Sequence, residues 1–262
     1  MKQLLRDSGE AEFYELHFFE TVDSTNEVCK RAAAEGAGEG WLAAADEQTA
    51  GKGRLGRRWV SPAGEAVYFS FLLRPSCAPQ QAYALTLVTG LAVCTAVREF
   101  TGLDAGIKWP NDIVISGKKI CGILTEADAS GGRLGNVVVG TGINVNNRSF
   151  SGDIADRATS LLLENGGIPV SRGGITAEVL RHFRRYYMVF LETGDLGKLA
   201  EIYNPLLVSR EKIVRVEDPL GAYCGTSHGI DRTGSLLVTA ESGELKKVTA
   251  GEVSVRGLYG YI

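Results

Sequence analysis

The spacing of apolar and polar residues changes along this chain, and each spacing predicts a different element. Short runs rich in β-branched and aromatic residues predict strands, whereas longer stretches with apolar residues every three or four positions predict helices. The predicted strands of the first part of the chain are 13–20, 41–46, 67–73, 113–115, 119–128 and 136–145. The predicted helices are 24–35, 79–100 and 176–192. The run 136–145 is almost continuously apolar, as expected of a strand covered on both faces.

From about residue 209 the pattern changes to short alternating runs separated by turn residues. The predicted strands there are 212–216, 222–227, 235–239, 244–248 and 253–255. This spacing is typical of a small β-barrel or sandwich. We therefore expect two domains, residues 1–208 and 209–262, with the boundary near residues 207–210.

The composition is that of an ordinary soluble protein, with 44% hydrophobic and 23% charged residues. The formal charge of −3 gives no overall attraction to nucleic acid. The sequence contains no run of 18 apolar residues, and its charged start does not resemble a signal peptide. Its five cysteines include no C-x-x-C pair, and its three histidines do not cluster. We expect a cytoplasmic protein with reduced thiols, no membrane segment and no zinc site.

One segment has an unusual charge pattern. Residues 51–58, here called the basic loop, contain three glycines, four cations and no acid. Glycines lose much backbone entropy on ordering and like charges repel, so this segment should not order by itself. An anionic ligand would supply the missing free energy through charge-assisted hydrogen bonds. A solvated turn or a non-specific polyanion patch is the alternative interpretation.

The glycine spacing also resembles two nucleotide-binding motifs, but the residues that follow the glycines exclude both. Gly51, Gly53 and Gly56 satisfy G-x-G-x-x-G, but a strand-like run, 67–73, follows where the dinucleotide motif requires a helix. Lys52 is not followed by Ser or Thr, so the segment is not a P-loop.

Three segments in this order resemble the biotin protein ligases. They are G-K-G-R-L-G-R-R-W at 51–59, K-W-P-N-D at 108–112 and K-K-I-C-G-I-L-T-E at 118–126. The resemblance extends to D-S-T-N at 23–26, G-T-G-I-N-V at 140–145 and G-E-V-S-V-R at 251–256, so it covers nearly the whole chain. It implies an α+β fold, a mixed sheet with helices on one face, followed by a small SH3-like barrel.

The resemblance implies an ATP-dependent biotin–[biotin carboxyl-carrier protein] ligase. Such an enzyme forms biotinyl-5′-AMP from biotin and Mg-ATP, and then transfers biotin to a lysine of a biotin carboxyl carrier protein or domain. The reaction brings two anions together, which requires cations at the reacting phosphorus. ATP with Mg²⁺ and biotin are substrates, no prosthetic group is expected, and a homodimer remains open.

The resemblance and this chemistry together give the expected site residues. Catalysis is expected of Lys119, Arg54 and Asp112. Biotin binding is expected of Ser24, Thr25, Asn26, Gln48, Gly51, Lys52, Gly53, Arg54, Lys119 and Gly122. ATP or adenylate binding is expected of Arg54, Arg57, Trp59, Asn111, Asp112, Lys119, Asn144 and Arg256. No protein metal ligand is assigned, because Asp112 either positions the incoming lysine or holds magnesium, and the sequence does not choose.

Two alternatives remain. A lipoate or octanoate ligase or transferase has the same fold, but the R-R-x-[ST]-G-G-G signature of those families is not seen. A biotin-responsive DNA-binding repressor would carry an N-terminal helix-turn-helix, and the 22 residues before Asp23 look like one strand. We therefore expect no specific DNA binding. The carboxylase served, the oligomeric state, the order of substrate binding and the role of the C-terminal domain are not given by the sequence.

Overall fold

The computed structural model describes residues 2–130, 133–218, 221–249 and 254–257. The helices are α1 (Lys2–Asp7), α2 (Thr25–Ala34), α3 (Ala84–Thr101), α4 (Leu161–Glu164), α5 (Arg172–Thr193) and α6 (Gly197–Tyr203). The strands of the first sheet are β1 (Glu15–Val22), β2 (Trp41–Gln48), β3 (Val67–Leu73), β4 (Gly106–Lys108), β5 (Asp112–Ile115), β6 (Lys118–Ser130) and β7 (Arg133–Ile143). Those of the second sheet are β8 (Lys212–Asp218), β9 (Gly221–Ile230), β10 (Leu236–Ala240), β11 (Leu245–Val248) and β12 (Ser254–Gly257).

The first sheet is mixed, which confirms the predicted α+β class. Its strand order is β1-β2-β3-β7-β6-β5-β4, with β1 parallel to β2 and the other neighbours antiparallel. Strand β3 is buried along its whole length because β2 and β7 pair with its two edges and helices cover both of its faces. This explains why residues 67–73 are apolar on both faces of the strand except at Ser70.

The helices are distributed over both faces of this sheet. The long helices α3 and α5 pack on one face, where they enclose the main core with Phe69, Phe71 and Val139. The alternate residues of the same strands, such as Leu72 and Val138, point the other way and pack against α2. The expectation of helices on one face therefore holds for α3 and α5, and α2 adds a layer on the opposite face.

Helix α3 is the most apolar helix of the described chain. Residues Pro79–Thr101 are long and apolar enough to cross a membrane, but 67% of that stretch is buried inside the protein. It is therefore accounted for as the core helix between the first sheet and α5.

The second sheet is antiparallel, with strand order β11-β10-β9-β8-β12. Leu207 still pairs with Ile107 beside the first sheet, whereas β8 begins at Lys212. The predicted strands of this region are confirmed within a few residues. Closure of the sheet into an SH3-like barrel and the boundary at residue 208 stay predictions.

Candidate active site

A cleft of about 460 Å³ lies where the first turn of α2, the end of β2 and the basic loop meet strands β6 and β7. Eleven of its lining residues were predicted from the sequence: Ser24, Thr25, Asn26, Gln48, Lys52, Gly53, Arg54, Trp59, Asn111, Lys119 and Gly122. Five were not assigned a role: Ile123, Leu124, Gly140, Thr141 and Gly142. The cleft thus brings together four segments of the sequence, 24–26, 48–59, 111–124 and 140–142.

One wall of the cleft is backbone, formed by Gly122, Gly140 and Gly142 and here called the glycine floor. Gly122 and Gly142 are direct partners across β6 and β7. A Cβ at Gly140 would lie 1.9 Å from Asn26 Oδ1, and one at Gly142 would lie 2.7 Å from Trp59 Nε1. Glycine inside a strand often marks such a close approach, and this signal could have identified Gly140 and Gly142.

The inner end of the cleft is a network of polar side chains. Gln48 Oε1 accepts hydrogen bonds from the Thr25 backbone N–H (2.9 Å) and the Thr25 hydroxyl (3.1 Å). Gln48 Nε2 donates to Ser61 Oγ at 2.9 Å. Ser24 is buried beside this network, and its side chain does not cap α2. The network fixes which way the Gln48 amide faces.

Asn26 is held in the same way by groups on the sheet. Its Oδ1 accepts a hydrogen bond from the fully buried Ser70 (2.6 Å), and its Nδ2 donates to Glu126 (2.7 Å) and to the Leu124 carbonyl (3.3 Å). Ser70 has no charge or motif to mark it, so sequence reasoning missed this contact. Asn26 is therefore oriented by the sheet on which the glycine floor lies.

Cations and their partners form the outer end of the cleft. Lys119 Nζ lies 2.6 Å from Asp112 Oδ1 and 5.2 Å from the centre of the Trp59 ring. Arg54 Nη1 donates to Asn111 Oδ1 at 2.8 Å, and Asn111 Nδ2 donates to Asp112 Oδ1 at 3.0 Å. The two predicted catalytic cations, Arg54 and Lys119, are thus connected through the pair Asn111–Asp112.

The surroundings of Arg54 affect its proton affinity. Burial lowers the pKa of Arg54, Asp112 opposes this effect, and the neighbouring cation Arg57 adds to it. An arginine remains charged at neutral pH even so, because its ordinary pKa lies above 12. A partly desolvated guanidinium interacts more strongly with an anion than one in water.

The basic loop has a defined hairpin-like conformation. Lys52 bridges to Arg58, the Trp59 N–H donates to the Gly51 carbonyl at 2.9 Å, and the Gly53 N–H donates to the Arg57 carbonyl at 2.7 Å. A 3₁₀ turn at Arg54–Gly56 forms the tip. The sequence predicted that this segment would not order by itself. The structure shows that backbone hydrogen bonds within the segment and to Trp59 contribute to its order.

An acid outside the run also neutralises part of the loop's charge. Glu27 Oε1 of α2 lies 2.5 Å from both Lys52 Nζ and Lys30 Nζ, and Lys30 in turn contacts Glu126 at 2.9 Å. Hydrogen bonds from Lys30 and Lys52 lower the pKa of the Glu27 carboxyl. The basic loop is therefore fastened to α2 by an ion pair that sequence reasoning missed.

The remaining predicted residues lie behind or outside the cleft lining. Gly51 packs against Trp59 and Ser61 within the loop, where a Cβ would meet the Trp59 carbonyl at 2.5 Å. Arg57 is exposed, and Asp112 stands behind Lys119 with 14% of its side chain exposed. Asn144 Nδ2 donates to the Thr159 carbonyl at 3.1 Å. Arg256 lies in β12, and its side chain is outside the described residues, as are residues 251–253 of its motif.

Metal-capable side chains come together at one place among the described residues, away from the cleft. Glu99, Glu178 and His182 lie within ligand distance of one another on α3 and α5. The Arg181 guanidinium already contacts all three, at 3.4, 2.6 and 2.9 Å respectively. This cluster is therefore satisfied by an arginine. The five cysteines are free thiols, as the sequence predicted.

Comparison with known proteins agrees with this geometry. The chain matches the biotin/lipoate A/B protein ligase family over residues 18–144 and the biotin protein ligase C-terminal domain over residues 211–256. It is 34% identical to the bifunctional ligase/repressor BirA of Bacillus subtilis over 92% of this chain and 74% of that protein. It is 33% identical to the biotin–[acetyl-CoA-carboxylase] ligase of Paracoccus denitrificans over 90% of this chain and 98% of that protein.

A solved structure gives the same result for the fold. The biotin protein ligase from Aquifex aeolicus in complex with biotin and ATP superposes with a TM-score of 0.81 and 33% identity, covering 94% of this chain and 100% of that one. Fold, cleft and sequence similarity agree, and the chain belongs to the biotin protein ligases of the biotin/lipoate A/B protein ligase family.

Proposed function

We propose that this chain is an ATP-dependent biotin–protein ligase that attaches biotin to a lysine of a biotin carboxyl carrier protein or domain. The observation that carries the proposal is the convergence of Arg54 and Lys119 on a cleft whose inner end is polar and uncharged. The cations suit a carboxylate meeting a triphosphate, and the polar end suits the ureido ring of biotin.

In the first step, a carboxylate oxygen of biotin attacks the α-phosphorus of ATP. The bond from that phosphorus to the bridging oxygen of the β-phosphate breaks, and pyrophosphate leaves with the electron pair. Negative charge grows on the phosphoryl oxygens during this displacement, so fixed cations stabilise the transition state more than the ground state. Lys119 on the rigid strand β6 and Arg54 on the basic loop are the residues we assign to this task.

Asp112 and Asn111 act here as positioning residues. Asp112 Oδ1 is engaged by Lys119 and by Asn111, which in turn holds Arg54. This arrangement supports a role for Asp112 and Asn111 in positioning the two cations. It adds to the two roles that the sequence left open for Asp112, which are positioning the acceptor lysine and holding magnesium. The described residues show no group of carboxylates facing the cleft, so we expect Mg²⁺ to enter bound to the ATP phosphates.

In the second step, the neutral ε-amine of the acceptor lysine attacks the acyl carbon of biotinyl-5′-AMP. An amide bond forms, the bond from the acyl carbon to the phosphate oxygen breaks, and AMP leaves. The reactive anhydride must be kept from water until the acceptor arrives. The basic loop lines the cleft with Lys52, Gly53 and Arg54, and Trp59 follows it directly, which suits this segment to the role.

The test is ATP–pyrophosphate exchange without any acceptor protein, with biotin, octanoate or lipoate as the acid. Biotin should support exchange, because Ser24, Thr25 and Gln48 satisfy a polar ureido group and lose hydrogen bonds to an apolar chain. Discrimination at such sites reaches about 10⁴–10⁵. Exchange that proceeds equally well with octanoate or lipoate would assign the chain to the other branch of the family.

Two further parts of the proposal concern DNA and location. The formal charge of −3 gives the chain no overall attraction to nucleic acid, and its five cysteines are free thiols. We therefore expect a cytoplasmic ligase without operator-specific binding, although the B. subtilis relative is named a bifunctional ligase/repressor. Nanomolar, sequence-selective DNA binding at physiological salt would contradict this expectation, whereas weak binding that vanishes with salt would not.

A further inference from the structure

A turn of the C-terminal sheet, residues 231–235 between β9 and β10, is braced from within. Asp231 Oδ1 accepts hydrogen bonds from the backbone N–H groups of Thr233 (2.8 Å) and Ser235 (3.2 Å). The Asp231 N–H donates to the Ser235 carbonyl at 3.0 Å. Lys247 holds the other carboxylate oxygen of Asp231 at 2.8 Å. The turn is therefore a preformed unit, and the carbonyl groups of Arg232, Thr233 and Gly234 accept hydrogen bonds from residues outside it.

This turn is seated on the catalytic part of the chain. The Leu196 N–H donates to the Arg232 carbonyl at 2.8 Å, and the Tyr83 hydroxyl donates to the Thr233 carbonyl. Gly234 has φ +86°, and a Cβ there would lie 2.7 Å from Leu87 and 2.8 Å from Leu196. Glycine is thus required both by the backbone conformation and by the close contact.

The third carbonyl of the turn meets the hairpin tip between β4 and β5. Trp109 is buried, and its indole N–H donates to the Gly234 carbonyl at 3.2 Å. Two residues later Asn111 faces the other way, into the cleft, where it contacts Arg54 and Asp112. The hairpin tip therefore contacts the C-terminal sheet through Trp109. On its other side Asn111 contacts Arg54, and the next residue, Asp112, contacts Lys119.

We infer that the Trp109–Gly234 hydrogen bond is a positioning contact, through which the C-terminal sheet sets the place of Asn111 and Asp112 for the adenylation step. The inference rests on the proposed function. A tip released from Gly234 is free to shift at Asn111, and both Arg54 and Lys119 then lose their fixed partners. Transfer from adenylate already formed involves no displacement at phosphorus, so it depends less on this contact.

The test compares the wild type with Trp109→Phe, which keeps an aromatic ring in the core and removes the indole N–H donor together with part of the buried ring volume. Biotin-dependent ATP–pyrophosphate exchange should lose about 3- to 10-fold in kcat, the range expected for one neutral hydrogen bond. Transfer from pre-made biotinyl-5′-AMP to a carrier domain should fall by less than about twofold. Gly234→Ala perturbs the same contact from its other side and should show the same split between the two reactions.

Tyr83→Phe is the matched control, because it removes another hydrogen bond to the same turn without touching the hairpin tip. It should lower the melting temperature, yet leave exchange near the wild-type rate. Folded Trp109→Phe or Gly234→Ala protein with wild-type exchange would overturn the inference, as would equal losses in Tyr83→Phe. Equal damage to both half-reactions would overturn it as well. A wild type without any exchange would overturn the proposed function and this inference with it.

Discussion

The basic loop and the glycine floor enclose the same cleft, yet they are built in opposite ways. The loop holds its shape with a few backbone hydrogen bonds and one ion pair to Glu27, and its tip exposes 67% of Leu55. The floor belongs to a continuous ladder between β6 and β7, and the alternate residues Cys121, Ile123 and Val139 are buried in the main core. Order in the floor comes from folding, whereas order in the loop depends on a few exposed contacts.

Each region supplies one of the two cations. Lys119 comes from β6 and Arg54 comes from the loop. A cation on a rigid strand suits charge stabilisation, because its position costs no reorganisation during the reaction. A cation on a weakly held loop suits a closing element, because local stability is low where few apolar contacts are made. We therefore expect substitutions in the strands to impair chemistry and substitutions in the loop to impair retention of the adenylate.

The largest effect is expected from Lys119→Gln, which keeps hydrogen-bond donors for Asp112 but removes the charge. Adenylation should slow by about 10²–10³-fold, similar to the loss of one oxyanion-hole donor, and transfer from pre-made biotinyl-5′-AMP should be better preserved. Single-turnover assays of each half-reaction measure this. Lys118→Gln is the control, because this neighbour is exposed and should react at the wild-type rate. Equal losses in the two half-reactions would assign Lys119 to general positioning instead.

Arg54→Ala should come next. The fold should be intact, whereas losing a charged hydrogen bond of about 1.5–3 kcal/mol should weaken adenylate retention roughly 10- to 150-fold. Escape of labelled biotinyl-5′-AMP and promiscuous labelling of added proteins report this. Arg58→Ala removes an exposed loop cation and should retain the adenylate normally. An Arg54→Ala protein that releases adenylate as slowly as the wild type would show that the loop does not close through this residue.

Gly142→Ala links the two regions, because the added Cβ would meet the Trp59 indole at 2.7 Å. Strand β7 is held by a continuous hydrogen-bond ladder, whereas the loop is held by only a few hydrogen bonds. Trp59 should therefore be displaced rather than the strand. We expect adenylate escape about tenfold faster, equivalent to about 1.4 kcal/mol, with little change in adenylation. Gly38→Ala, whose Cβ would meet nothing within 4 Å, is the control. A slower adenylation step with normal retention would mean that the strand yields rather than the loop.

The smallest effect is expected from Glu27→Gln, which breaks the loop's ion pair with α2. Exposed pairs are worth about 0.2–1 kcal/mol, so trypsin should cleave the loop at most about fivefold faster. The pKa of Glu27 is lowered in the folded protein, so the pair stabilises above the ordinary value of 4.5 and is lost as the pH falls through the lowered value. Trp59 fluorescence should therefore differ between variant and wild type at neutral pH and converge in acid. Glu244→Gln breaks an exposed pair in the second sheet and should leave loop cleavage unchanged.

Much of the architecture could be predicted because it follows from local patterns. The run 67–73 coincides with β3, since burial on both faces leaves a sequence that is apolar except for Ser70. Alternation along a strand predicts that Lys118 and Lys119 lie on opposite faces, and the family resemblance selected Lys119 for the site. In the structure Lys118 is exposed and Lys119 lines the cleft.

What could not be predicted depends on contacts between distant segments. Ser70 reads as one polar residue in an apolar strand, and its role in orienting Asn26 requires knowing that α2 crosses β3. Glu27 reads as a capping-box glutamate, yet it binds Lys52 on another element. Asn144 was expected to contact the nucleotide, and that role stays a prediction. The structure adds that its Nδ2 donates to the Thr159 carbonyl, a contact that the sequence pattern did not indicate.

The glycine floor also limits how this protein can change under selection. A surface made of main chain has no side chains to exchange, and any replacement at Gly140 or Gly142 introduces a clash with Asn26 or Trp59. Single substitutions on that side of the cleft therefore cannot adapt it gradually to another acid substrate, so such a route to new specificity is closed there. It remains open at the first turn of α2 and in the basic loop, where one substitution alters a functional group without moving a strand. We expect natural diversity among ligases of this architecture to accumulate at the rim and to spare the floor.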